Sequence, residues 1–127
     1  MQTTSGNTKL KLLYLSDIFR IETDEEHALS VYELIKILSD FGITVSRQIL
    51  CEDIDFLKSY GMDIHIKKQA GRNPRLYNLV SRDFNLIDLK LLVDAVRSSQ
   101  LIKTPKDKEL IRKLSNLTSK YQAKLLE

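Results

Sequence analysis

Between Ser30 and Gly61 the chain twice marks a helix start and then a helix stop, and this punctuation constrains its fold more than any other feature. Ser30 stands three residues before Glu33, the spacing of a capping box in which each side chain serves the other residue's main-chain N–H. Leu29 and Leu34 stand where a hydrophobic staple closes over such a start. Leu34, Ile35 and Leu38 then form a buried edge, and Gly42 suits the left-handed residue that ends a helix. A second start at Ser46 precedes a helix whose buried edge is Leu50, Ile54 and Leu57, flanked by Ile49, Phe56 and Tyr60, and Gly61 stops it. The outward face of that helix carries Arg47, Gln48, Cys51, Glu52 and Asp55. Two helices joined by a turn of about four residues, the second with a polar outer face, make a helix-turn-helix arrangement.

The segments on either side extend the pattern. Met62, Ile64 and Ile66 alternate with Asp63, His65 and Lys67, the period of a strand with one face on the core, and Leu76 to Val80 supplies a partner strand. Gly71-Arg72-Asn73-Pro74 provides the turn, so the hairpin stands directly after the second helix, in the position of a wing. Upstream, Leu10, Leu13, Tyr14, Ile18 and Ile21 recur at spacings of three and four and predict a helix over about Lys9 to Ile21, with Glu22 to Ala28 as a solvated acidic loop. Downstream, Asn85 with Asp88 caps a helix burying Leu86, Leu89, Val93 and Val96, and Thr104-Pro105 opens a fifth helix with the stripe Leu110, Leu114, Leu117 and Tyr121. The expected fold class is mostly α with a small β-hairpin. Residues 1–80 form a winged helix-turn-helix, and residues 81–127 add two helices as a linker or dimerisation arm.

The charge distribution gives this scaffold a use. The net charge is only +3, yet Lys67, Lys68, Arg72, Arg75 and Arg82 follow one another with no acid between Ile66 and Arg82, whereas Glu22, Asp24, Glu25 and Glu26 crowd before His27. A helix about 10–12 Å across fits the major groove of DNA and reads base edges from its amino-terminal end. Ser46, Arg47, Gln48, Cys51 and Glu52 occupy that end, with Arg47 suited to guanine or phosphate and Gln48 to adenine or another base edge. Lys67, Lys68, Arg72 and Arg75 on the wing would add phosphate or minor-groove contacts whose strength falls with salt. The plain alternative for such a run is a solvated hairpin tip, and the preceding helix-turn-helix tips the balance toward DNA.

Other function classes find little support. One cysteine, Cys51, and two scattered histidines, His27 and His65, give no zinc spacing, and no metal or cofactor is expected. Asp53 and Asp55 diverge by about 200° around a helix axis, so they are no acid/base pair, and no nucleophile, phosphate cradle or metal site points to an enzyme. No apolar run approaches the roughly 18 residues of a membrane span, and Met1 to Thr8 is too polar for a signal peptide, so a cytoplasmic location is expected.

Several stretches together resemble the amino-terminal half of bacterial WYL-domain transcriptional regulators. These are Lys11-Leu12-Leu13-Tyr14-Leu15, the loop from Glu22 to His27, Asp53-Ile54, Tyr60-Gly61-Met62-Asp63-Ile64, Ser81-Arg82-Asp83-Phe84 and Lys90 to Val96, and the resemblance runs from about Lys9 to Leu126. It implies a winged helix-turn-helix that binds operator DNA as a homodimer, joined through helices to a carboxy-terminal WYL domain that senses a ligand. A small-molecule ligand is therefore expected only through that missing domain, with this chain either a fragment, which is the favoured reading, or a stand-alone form. Such regulators commonly carry a tyrosine-arginine pair before the Asp-Ile, where this chain has Cys51-Glu52. Their glycine-rich wing tip is here the stiffer, more basic Gly71-Arg72-Asn73-Pro74-Arg75. Glu52 would accept from cytosine, repel phosphate, or pair with Arg47 or another basic side chain.

The rival reading is a winged-helix protein-interaction module, because Glu52, Asp53 and Asp55 outnumber Arg47 and Lys58 on the second helix of the motif. For the arm, a stripe of Leu110, Leu114, Leu117, Tyr121 and Leu125 either packs within the chain or pairs with a second copy, and the homodimer is the expectation carried forward.

Overall fold

Ser30 is the last residue of one strand and the cap of the next helix, and that double role sets the centre of the fold. In the computed structural model, which describes residues 5–127, Ser30 accepts from the Glu33 amide at 3.2 Å while Glu33 Oε1 accepts from the Ser30 amide at 3.0 Å. Around it the elements run α1 (Ser5–Glu22), β1 (Leu29–Ser30), α2 (Val31–Asp40), α3 (Arg47–Tyr60), β2 (Ile64–Lys67), β3 (Leu76–Leu79), α4 (Leu86–Ser98), α5 (Lys106–Ser115) and α6 (Lys120–Leu125). The architecture is mostly helical with a small antiparallel sheet of three strands in the order β1-β3-β2. No helix of the described residues is long and apolar enough to cross a membrane.

Both helix stops work as the glycines dictate. Gly42 adopts φ 81°, its amide bonds to the Ser39 carbonyl and the Ile43 amide bonds to the Leu38 carbonyl, which is the paired closure of a Schellman motif. Gly61 adopts φ 125°, open to glycine and strained for any other residue, and turns the chain from α3 into the hairpin. Ser46 caps α3 by accepting from the Ile49 amide at 3.2 Å.

The sheet differs from a bare hairpin in having a third strand. β1 pairs with β3 through Leu29 opposite Tyr77 and Ser30 opposite Leu76, while β2 pairs with the other edge of β3 from Ile64 opposite Leu79 to Lys67 opposite Leu76. Two residues of β1 carry too little alternation to read as a strand. The core face of β2 is also shorter than its alternation suggests: Ile64 is buried, whereas Ile66 is exposed toward the loop end of the hairpin and Met62 only packs against the core's edge. Tyr77 and Leu79 of β3 supply the rest of the buried face.

The buried face of α1 is a correction. Of the stripe Leu10, Leu13, Tyr14, Ile18 and Ile21, only Ile18 is fully buried and Tyr14 packs at the core's edge, while Leu10, Leu13 and Ile21 are exposed and the core takes Leu15 and Phe19 in their place. The reason is Lys11. It occupies the core-facing position one turn before Leu15, and its charge makes the true stripe look polar. Its Nζ lies 2.9 Å from Asp53 Oδ2 of α3, with side chains only 9% and 8% exposed. That oxygen has no partner of good hydrogen-bond geometry, so the contact is a close ion pair between α1 and α3 and not a directed hydrogen bond.

Two clusters of buried side chains result. The larger joins α1, α2, α3 and the sheet, from Leu15 and Phe19 through Leu34, Leu38, Leu50 and Ile54 to Tyr77 and Leu79. The smaller comprises Leu89, Val93 and Leu126, with Leu86, Ile111 and Leu114 against it. The Asn85–Asp88 capping box of α4 is present, with amide bonds of 2.9 and 3.1 Å.

The predicted fifth helix is broken, a second correction. α5 ends at Ser115, the chain turns through Asn116 to Ser119, and Ser119 caps the short α6 by accepting from the Gln122 amide at 3.1 Å. The break carries α6 back onto the end of α1. There the Ser119 hydroxyl donates to Asp24 Oδ2, Lys120 pairs with Glu22, and the Tyr121 ring stacks on His27 at 3.7 Å. The stripe Leu110, Leu114, Leu117, Tyr121 therefore lies on two differently directed helices and the turn between them.

Candidate nucleic-acid interface

The amino-terminal turn of α3 and the closing strand of the hairpin come together because Cys51 and Tyr77 touch. Leu50, Ile54 and Leu57 hold α3 on the core, which leaves Cys51 half-buried, with Sγ 4.0 Å from the Tyr77 hydroxyl. Tyr77 sits at the centre of the sheet, opposite Leu29 on one side and Ile66 on the other, and is only 6% exposed. Over this pair lies a cleft of about 180 Å³ lined by Val31, Arg47, Cys51, Pro74, Arg75 and Tyr77. One arginine comes from the first position of α3 and the other from the residue that leads into β3, so elements separate in sequence each bring an arginine to the lining of one hollow.

The electrostatics of the cleft follow from its lining. Burial, and next the Cys51 thiol, push the Tyr77 hydroxyl above the ordinary tyrosine range, while Arg75 and Arg47 pull it back. The hydroxyl thus remains a proton donor at neutral pH. Among the described residues neither arginine lies within ion-pair distance of a carboxylate, so both charges face solvent uncompensated. A pair of guanidinium forks beside a phenolic O–H is an arrangement that holds an oxyanion.

Of the sequence-predicted contact residues, the structure therefore gathers Arg47, Cys51 and Arg75. Ser46, Gln48 and Glu52 are exposed around the start of α3 and do not line the cleft. Glu52 forms no ion pair with Arg47 among the described residues, and it stands free on the outer face. Lys67, Lys68 and Arg72 are exposed along the hairpin. Its loop is tied internally: Gln69 Nε2 donates to the Pro74 carbonyl at 2.7 Å, Asn73 Nδ2 donates to the Ala70 carbonyl at 2.9 Å, and Gly71 adopts φ 68°. The basic tip is thus held in shape by side-chain to main-chain bonds.

Tyr77 is the member that sequence reasoning missed. A tyrosine on a core strand must place its hydroxyl somewhere, and that requirement was the available signal. Of the arm residues, Leu114 packs into the smaller cluster and Tyr121 against His27, Leu110 is half-buried, and Leu117 and Leu125 remain exposed.

No family model, no curated protein and no solved structure matches the chain.

Proposed function

We propose that this chain is the DNA-binding portion of a WYL-type transcriptional regulator, in which residues 1–80 act as a winged helix-turn-helix and residues 81–127 as a helical linker or dimerisation arm. The observation that carries this reading is the convergence of Arg47 and Arg75 on one cleft, with Lys67, Lys68 and Arg72 exposed along the same hairpin. In this reading α3 enters the major groove of double-stranded DNA with Gln48 toward base edges, while Arg47 and the hairpin face the phosphates. The capped helix pair, the basic wing and the resemblance to WYL-domain regulators support it. A homodimer would present two such helices to a two-fold operator, and Leu117 and Leu125 remain exposed on the arm to take part. Binding to a pool of random duplexes, measured across salt concentrations alongside the mass in solution, tests the reading. Affinity that falls steeply with salt is expected, and its absence on every duplex overturns it.

A second reading is favoured by one observation. The outer face of α3 also exposes Ile49, Phe56 and Tyr60, the last 88% exposed, in a stripe that includes Glu52. An apolar stripe with a carboxylate suits a protein partner, so a winged-helix interaction module is the alternative if no duplex binds.

A further inference from the structure

We infer that the cleft between α3 and the hairpin seats a single phosphate group, held by the guanidinium groups of Arg47 and Arg75 and by a hydrogen bond from the Tyr77 hydroxyl. This inference rests on the DNA-binding reading for the identity of the phosphate, which is then one of the duplex backbone. The same chemistry would hold a free phosphate ion.

Three independent features carry it. The hollow, at about 180 Å³, has room for several waters of about 30 Å³ each and hence for one tetrahedral oxyanion. Its two cationic lining residues come from different elements and have no carboxylate partner among the described residues, so nothing in the fold itself neutralises them. Tyr77 is more than nine-tenths buried, yet among the described residues its hydroxyl has no oxygen or nitrogen partner, only the Cys51 sulfur at 4.0 Å. An O–H with so weak a partner, on a buried residue that lines the hollow with Arg47 and Arg75, lacks an acceptor that a phosphate oxygen supplies.

The seat assigns distinct roles. Arg47 and Arg75 supply charge, and each neutralised phosphate contact contributes to the salt dependence. Tyr77 supplies direction without charge. It fixes where along the backbone the phosphate sits and so couples the register of α3 in the groove to the position of the hairpin. Lys67, Lys68 and Arg72 lie outside the cleft and would contact other phosphates less selectively.

The test compares wild type with Tyr77→Phe, Arg75→Ala and the double variant on a duplex that the wild type binds, with thermal melts to check folding. Phe fits the space of Tyr77, and only the thiol contact is lost inside the protein. Tyr77→Phe is expected to weaken binding about 2- to 10-fold with an unchanged salt slope. Arg75→Ala is expected to lower the slope by about 0.9, and adding Tyr77→Phe to it should cost little more. Wild-type affinity in a folded Tyr77→Phe variant overturns the seat and leaves DNA binding standing. If the wild type binds no duplex, the DNA reading falls and inorganic phosphate becomes the probe, with chloride holding ionic strength constant. A saturable shift of the Tyr77 ring signals that is lost in Arg47→Ala and Arg75→Ala then upholds the seat for a free anion. No such shift overturns it as well.

Discussion

Ser119 donates a 2.5 Å hydrogen bond to Oδ2 of Asp24, a residue 95 positions earlier in the chain. Both are buried, and the other oxygen of Asp24 accepts from the amides of Glu26 and His27 and faces the His27 ring at 2.8 Å. The carboxylate therefore folds the acidic loop upon itself and also ties α6 to the end of α1. Ser119→Ala removes a bond to a buried charge and the cap of α6 together, and is expected to cost about 2–3 kcal/mol. Urea denaturation measures this directly, and an unchanged midpoint would show that the arm docks without Ser119.

The same carboxylate gives the stability a pH dependence. Burial opposes the charge of Asp24, but the bonds from Ser119, from His27 and from the Glu26 amide outweigh it and hold the group below the ordinary aspartate range. A carboxyl group with a depressed folded-state pKa stabilises fully above its unfolded value, near 3.8, and loses that contribution as pH falls through the folded value. Stability measured from pH 6 downward should thus fall on the acid side of about pH 4–5. In Asp24→Asn the fall should be shallower, and an identical slope in both proteins would assign the acid sensitivity elsewhere.

Lys11 and Asp53 make a third test. With both side chains more than nine-tenths out of solvent, removing one partner strands the other charge in the core. Lys11→Met is expected to lose about 3–5 kcal/mol, while the double change Lys11→Met with Asp53→Leu should recover much of that loss. Thermal or urea melts of the wild type, Lys11→Met, Asp53→Leu and the double variant form the cycle. A single variant as stable as the wild type would mean that water reaches the pair.

Features written locally were the legible ones. The boxes Ser30–Glu33 and Asn85–Asp88 and the stops at Gly42 and Gly61 involve neighbours within a turn, and the structure has all four where the sequence puts them. Ser119 and Gln122 have the same three-residue spacing as those boxes, so the start of α6 was also legible, hidden by an apolar stripe that ran across it. What stayed hidden depends on partners far along the chain. Lys11 belongs on the core face only because Asp53 meets it there, β1 is a strand only because β3 offers an edge, and Tyr77 borders a cleft only because α3 brings Arg47 and Cys51 against the hairpin. Spacing within a helix or strand carries no trace of such meetings.

Glu52 and Arg72 separate the contributions of α3 and the hairpin. Glu52 is exposed beside the first turn of α3 and forms no ion pair among the described residues, so in the proposed complex it faces phosphate or base edges without a protein cation to offset it. Glu52→Arg should therefore tighten binding on a pooled duplex library and steepen its salt dependence. Arg72→Ala, at the exposed tip and outside the cleft, should weaken binding equally on all sequences and lower the salt slope by about 0.9. Selection from the pool gives the third readout: Gln48→Ala should change which sequences are enriched, whereas Arg72→Ala should leave the enriched set as it is. If Glu52→Arg binds no more tightly than wild type, Glu52 reads a base or lies off the DNA.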